Sequence, residues 1–413
     1  MRKNTESVDL GFSRERFFLL AIAFFLFSPT GLLPGGFQGA VIGSAALFFV
    51  SFICGGGRGS SVAFIGLVFL SMVSLVSVIY NSGHFVVSDA FYPFRFLYYL
   101  IVFSAAYSNS KYLRLESFCG LLLVFIVVQF VVVLLQKSGM SLGILNFFWD
   151  TEKNWAQRST GTFSNPNTMA IVVLFAFVTY SFLSKVGPRI KLILSVVVAL
   201  TIYLSGSRTA MVLAVGLIFF NAVAFLELRR LFRLVFFVTP LALLLGGGFH
   251  YYIGSGYVAQ LFDFLATGDI SEIPSVVHRF NTWLSIIQLI DRFTFINGLI
   301  GLGPGKEIGL RFTDNEYLRL FFTMGGIGLF YIFFLGGLVY YLSVVRRRSV
   351  EVFFIYKATL SIFAALVISG IVLTSFTSWL YPVLLYLLLG VGWGKVEDAR
   401  EKNRDRGAST SMG

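Results

Sequence analysis

The stretch FTDNEYLRLFFTMGGIG, residues 312 to 328, sets Asp314, Asn315 and Glu316 at the mouth of an apolar run and Arg319 one turn in. A carboxylate there can take a proton from a hydroxyl, and a guanidinium can bind an oxyanion through paired donors. Thr313 to Glu316 is also T-x-x-E, a capping box, and acids in a first turn suit the helix dipole, so capping alone accounts for them. Two details point beyond capping. At about 100° per residue Asp314, Leu318, Phe321, Gly325 and Gly328 share one face, which predicts close approach of another helix and a carboxylate aimed into the bundle. Arg319 follows Asn315 by four residues, a turn deeper, where a cation needs a partner: Glu316 or a substrate.

Three more arginines carry similar weight. Arg208 in YLSGSRTAMV stands at a helix start, where the macrodipole disfavours a cation and an anion would relieve the conflict; alternatively Ser205 and Ser207 cap the helix while the arginine snorkels to headgroups. Arg158 precedes Gly161 in QRSTGTFSNPNTMA, where Asn165 and Pro166 read as N-cap and first residue of the next helix. Capping does not explain Gly161. Arg279 lies between Pro274 and Asp291, where Val276, Val277, Phe280, Leu284, Ile287 and Ile290 recur at helical spacing with polar residues between them. That pattern predicts an amphipathic helix, either at the membrane surface or capping the bundle, with Arg279 as site residue or as plain surface charge.

The elements that must position these residues are membrane spans. Of 413 residues, 57% are hydrophobic and 13% charged, and the mean hydropathy is +0.83, far from the roughly 45–50% apolar and 25% charged of soluble domains. Apolar runs long enough for a hydrocarbon core of about 30 Å occur about twelve times. They lie near 16 to 33, 37 to 53, 62 to 80, 91 to 107, 116 to 136, 166 to 183, 190 to 204, 208 to 226, 232 to 252, 317 to 345, 352 to 374 and 379 to 393. The first shows no small-x-small cleavage pattern and reads as retained. With the N-terminus inside, cytoplasmic segments hold 22 of the 32 Lys and Arg, and the net charge of +12 lies inside, as the positive-inside rule expects. The exceptions are Arg95, Lys137, Lys153, Arg158, Arg208, Arg279, Arg292, Lys306, Arg311 and Arg319.

Residues 1–394 thus read as a transmembrane domain with two long outer loops, 137–165 and 253–313, and 395–413 as a solvated, disordered cytoplasmic tail. The basic balance reads as topology and attraction to anionic lipid, and excludes nucleic acid as a partner. Cys54 and Cys119 form no CxxC, so neither disulfide nor metal chemistry is implied. In GLIGLGPG, residues 298 to 305, the phosphate-loop spacing fails because Glu307 follows Lys306. No DxD occurs, and no metal, nucleotide or other cofactor is expected.

RSTGTFSNPN, then SGSRTA opening a span, then GLGPG, then DN-x9-G-x-x-G resemble, in that order, the O-antigen ligase and Wzy-type polysaccharide polymerase superfamily over residues 155 to 345. The resemblance implies an all-α polytopic membrane protein of about 12 transmembrane helices, with the C-type glycosyltransferase (GT-C) architecture and a large periplasmic loop. It implies the bacterial inner membrane, a site on the periplasmic face, undecaprenyl-diphosphate-linked glycans as donor and acceptor within membrane lipid, and a chain-length regulator protein as partner. In the ligase branch the last motif begins with His; Asp314 stands there, which tilts the reading towards the polymerase branch. The implied roles are Asp314 as base, or as hydrogen-bond partner of a sugar hydroxyl, and Arg208 and Arg279 as cations on the diphosphate. Arg158, Asn165, Asn167, Ser207, Asn315, Tyr317 and Arg319 are the implied substrate contacts. The alternatives are a glycan ligase and, from another class, a transporter or flippase, which would place its charges near the bilayer midplane.

Overall fold

The computed structural model describes residues 2–27, 37–80, 91–138, 159–163, 165–225, 267–268, 274–303, 315–345, 349–371 and 378–410. They fold into α1 Arg2–Phe27, α2 Phe37–Cys54, α3 Ser61–Tyr80, α4 Phe91–Asn109, α5 Leu115–Lys137, α6 Pro166–Leu183, α7 Pro188–Ser205, α8 Arg208–Phe225 and α9 Pro274–Ile287. After a 3-10 turn at Gln288–Arg292 come α10 Phe295–Ile300, α11 Glu316–Val345, α12 Val350–Ser369 and α13 Val383–Thr410. Among the described residues six helices, α3, α5, α6, α7, α11 and α12, are long and apolar enough to cross a membrane. Phe64, Ile65, Phe69, Met72 and Ile79 along α3, and Phe330 and Phe333 on α11, are exposed, a surface that lipid covers and water would not tolerate. The chain is a multi-pass α-helical membrane protein. Helices stand at eleven of the twelve expected runs; the run 232 to 252 lies outside the described residues.

Helix α4 is the hub, packed by α1, α2, α3 and α13. Small residues make the closest of these crossings. A Cβ on Gly390 would come within 2.4 Å of the Phe103 carbonyl oxygen, and one on Gly394 within 2.7 Å of that of Tyr107, so α13 meets α4 at backbone contact. Aromatic side chains fill the layer beyond: Tyr99 of α4 stacks on Tyr386 of α13 at 4.8 Å, and the Tyr386 hydroxyl meets that of Tyr331 on α11 at 2.8 Å.

The end of the bundle at the C-terminus of α4 carries the ion pairs of the described residues. Glu15, its side chain only 4% exposed, accepts from Arg114 Nε at 2.9 Å and from the Arg114 backbone N–H at 3.0 Å. Lys185 pairs with Glu116, Lys395 with Glu351, and Arg58 with Glu401.

The disordered tail expected after residue 394 is corrected here. Residues 395–410 continue α13 as helix, because the segment has partners: Glu401 reaches Arg58, Ser110 Oγ donates to Asp398 at 3.4 Å, and Val396 is buried. Burial, with Glu401 next, pushes the Asp398 carboxyl above its ordinary value. The run expected from 379 is also adjusted: 378–382 form a turn and helix begins at Val383.

Candidate functional site

At the opposite end of α4, helix α11 begins and soon breaks. Asn315 caps it: its Oδ1 accepts the Leu318 N–H at 3.0 Å, and its carbonyl accepts the Arg319 N–H at 3.0 Å. Gly325, at φ 65° and ψ −157°, then interrupts the helix, and carbonyls near the interruption need other donors. Ser77 Oγ of α3 donates to the Thr323 carbonyl at 2.8 Å, and the Leu302 N–H donates to that of Phe322 at 2.6 Å.

The glycines explain how the Leu302 backbone gets there. A Cβ on Gly325 would stand 2.3 Å from the Leu299 carbonyl carbon, and one on Gly301, at φ 79°, would stand 2.4 Å from the Met324 nitrogen. Segment 298–302 is therefore docked on the break, backbone against backbone. The close approach expected along the glycine face is made at Gly325 by the end of helix α10 and the turn after it, while Gly328 tucks 2.5 Å (as a Cβ would measure) from the Leu320 carbonyl of its own helix.

Ile286, Phe293, Leu302, Leu318, Phe321 and Phe322 form a satellite core over the start of α11, with Phe293 stacked on Phe321 at 5.7 Å. The face expected to lie under Asp314 is thus covered by the α9–α10 segment. Helix α9 is the expected amphipathic helix, with Phe280, Leu284 and Ile287 exposed and Ile286 buried. Arg279, seven residues before Ile286, falls on the side of α9 that carries it.

Gly161 has a structural reason that its sequence did not disclose. It sits at φ 60°, and a Cβ there would come 2.2 Å from Gln129 Oε1. Gln136 Oε1 accepts the N–H groups of Thr160 and Gly161, each at 3.0 Å, and its amide donates to the Gly161 carbonyl at 2.8 Å. Gln129 accepts the Thr162 N–H at 3.0 Å and donates to its hydroxyl at 2.6 Å. Two glutamines seven residues apart on apolar α5 thus satisfy an irregular turn inside the bundle. That spacing was the signal for them.

Between these features lies a cationic cluster. Arg95, on the second turn of α4, is 5% exposed, with its guanidinium 4.5 Å from the Tyr92 ring centroid and 5.5 Å from that of Trp379. Arg319 donates to the Tyr92 hydroxyl and lies 5.4 Å from the ring centroid. Its partner among the described residues is therefore Tyr92; of the two expected, Glu316 or a substrate, Glu316 does not fill the place. Turn 378–382 closes the cluster: Trp379 packs on Tyr98 at 5.8 Å, the Ser378 carbonyl accepts from the Tyr99 hydroxyl, and Tyr381 meets Thr168 Oγ1 at 3.1 Å. Glu316 is wholly buried, its N–H on the Gly370 carbonyl at 2.7 Å, and it acts electrostatically on Tyr99 and Tyr331, as Arg95 does. A shallow crevice lined by Phe24, Phe25, Ala40, Val41, Ser44 and Leu380 has no charged residue and carries none of this chemistry.

The anticipated site residues divide. Asp314 and Arg158 lie outside the described residues, as does the side chain of Arg208. Asn165 is the N-cap of α6, accepting from the N–H groups of Asn167 at 2.8 Å and Thr168 at 3.3 Å. Ser207 caps α8 through the Ala210 N–H at 3.3 Å, and Ser205 Oγ accepts the Ser207 N–H at 3.2 Å. The Tyr317 hydroxyl donates to the Val367 carbonyl. Asn315, Tyr317 and Arg319 share the start of α11, whereas α8 packs on α6, α7 and α12. Arg95, Tyr92 and Trp379 were not anticipated; the one available signal was Arg95 itself, a cation in an apolar run.

No family model matches the chain, and a search of curated proteins finds no match.

Proposed function

We propose that the chain is a polymerase of undecaprenyl-diphosphate-linked oligosaccharide repeats, a glycosyltransferase of the O-antigen ligase and polymerase superfamily with about twelve spans and a GT-C architecture. In this reading it lies in the inner membrane of a bacterium with its site on the periplasmic face. The observation that supports it is convergence. Segment 298–302, of the GLIGLGPG stretch, docks on Gly325 of DN-x9-G-x-x-G, and Thr168 of the NPNT stretch joins the 378–382 turn beside Arg95 and Arg319. Stretches far apart in sequence, singled out for their chemistry, gather at the end of the bundle away from the ion pairs.

The chemistry follows from the residue types. An acceptor sugar hydroxyl attacks the anomeric carbon of the donor glycan, a new C–O bond forms, and the bond from that carbon to the diphosphate oxygen breaks. The lipid diphosphate leaves with the electron pair, and Arg208 and Arg279 offset its charge with forked donors, Arg158 assisting. Asp314 orients the hydroxyl and takes its proton. Because Asn165, Ser207 and Asn315 spend side-chain oxygen on backbone N–H groups, a part in substrate binding falls to the Asn amide N–H groups.

The broken helix α11 favours one competing reading, since transporters bind substrates at such breaks. Here the carbonyls of Phe322 and Thr323 are taken by Leu302 and Ser77, which leaves the break as a docking joint. The discriminating experiment is complementation of a strain lacking the gene. The wild-type gene restores a ladder of glycan lengths, and Asp314→Asn, which leaves the Asn315 cap in place, restores only single repeats. A full ladder from the Asn variant removes Asp314 as base, and long lipid-linked chains accumulating in the deletion strain identify a ligase instead.

A further inference from the structure

We propose that Arg95, Arg319, Tyr92 and Trp379 form a binding site for a phosphoryl anion carried on an apolar lipid. The ligand class is that of the donor in the reaction proposed above and deepens that reading, but the binding test needs no glycan, so failure of the site and failure of the transfer reaction can be told apart.

Arg95 is buried, and its Nε finds no hydrogen-bond acceptor, although buried guanidinium donors are ordinarily satisfied. Neither Arg95 nor Arg319 is ion-paired with a carboxylate among the described residues, in contrast to Arg58, Arg114, Lys185 and Lys395 at the other end of the bundle. Both converge on one phenol: Arg95 over its ring and Arg319 on its hydroxyl. Like charges held together inside a low-dielectric bundle need an anion between or beside them.

Glu316 does not fill that need. Among the described residues one carboxylate against two guanidiniums leaves a positive charge unbalanced, and the ring faces of Tyr92 and Trp379 attract cations without offering a lone pair to Nε. Paired phosphoryl oxygens match the guanidinium fork and supply the missing acceptors. The carrier follows from the surroundings. Phe91 and Phe94, on the same turns of α4 as Arg95, are 41% and 55% exposed, so an apolar chain can lie along α4 while its phosphoryl end turns inward.

Thermal melting of the full-length protein in detergent tests this with farnesyl diphosphate, farnesol and inorganic diphosphate as probes. Farnesyl diphosphate should raise the melting temperature, farnesol should not, and inorganic diphosphate should need a far higher concentration. An equal effect of inorganic diphosphate overturns the lipid carrier. Arg95→Met and Arg319→Met should each weaken the farnesyl diphosphate response by about thirty-fold in concentration. Their ligand-free melting should hold, because an apolar replacement for a buried cation is tolerated. Should either fail to fold, Arg95→Lys and Arg319→Lys keep the charge but lose the fork, and several-fold weakening is expected. No wild-type response to farnesyl diphosphate, or an undiminished response in the variants, overturns the site.

Discussion

Gly325 shows what a single position has to satisfy at this end of the bundle. Its φ of 65° disfavours any side chain, and its Cβ position is occupied by the Leu299 carbonyl, which belongs to backbone and cannot swing aside. Gly325→Ala should therefore cost about 2–4 kcal/mol, from left-handed strain together with overpacking. The neighbouring Gly326→Ala is the control: its nearest contact, the Gly298 carbonyl oxygen, would lie at 3.7 Å, an ordinary separation, and that helical position should gain slightly from alanine. Melting of the two purified variants checks the contrast, and equal loss in both would show that segment 298–302 does not rest on Gly325. The same position carries more than the sequence announces. A glycine spaced at helical period reads as a packing face, which it is for α10, but its dihedral angles make it a helix break as well.

At the scale of elements, the long apolar helices, six of them long enough to span among the described residues, were legible because a bilayer demands roughly twenty apolar residues in a row, a signal that survives without any knowledge of tertiary contacts. The amphipathic α9 was legible for the same reason, since its period is local. The Arg95–Tyr92–Arg319 cluster was not, because its members are joined across 227 positions of chain and nothing local in α4 announces α11. The end of α13 was misread because a segment rich in Lys, Arg, Glu and Asp is equally suited to solvent or to a docked helix; Arg58 and Ser110 decide it. That docking should respond to pH. Burial and Glu401 raise the Asp398 carboxyl above its ordinary value, so the docked state favours the protonated form. Its contribution is full below the pKa of the undocked carboxyl and is lost as pH rises through the raised one. Hydrogen exchange of the amides of 395–404, corrected for intrinsic rates, should be slower at pH 4.5 than at pH 7, and Asp398→Asn should abolish the difference. An unchanged pH dependence in the Asn variant would assign it to another group.

At the scale of the molecule, the carboxylate partners of the described cations gather at one end. Among the described residues one end pairs cations with carboxylates, Arg114 with Glu15 and Arg58 with Glu401 among them, beside others such as Arg14 and Lys111 on the Tyr112 ring, while the other end holds Arg95 and Arg319 on aromatic rings without such a pair. The division matches the basic loops expected inside and predicts that the cationic cluster faces outward. Cys54 makes the orientation measurable with a native residue. It is exposed at the end of α2, beside the glycine turn that leads to Arg58, whereas Cys119 is buried in α5. A membrane-impermeant maleimide should leave the protein unlabelled in intact cells, modify Cys54 once the inner face is opened, and give no product in Cys54→Ser, since the folded protein shields Cys119. Labelling of Cys54 in intact cells would invert the bundle. Arg95 and Arg319 would then face the cytoplasm, where nucleotides abound, and the reading of the site as one that draws activated sugar from a lipid diphosphate outside would lose its geometric basis.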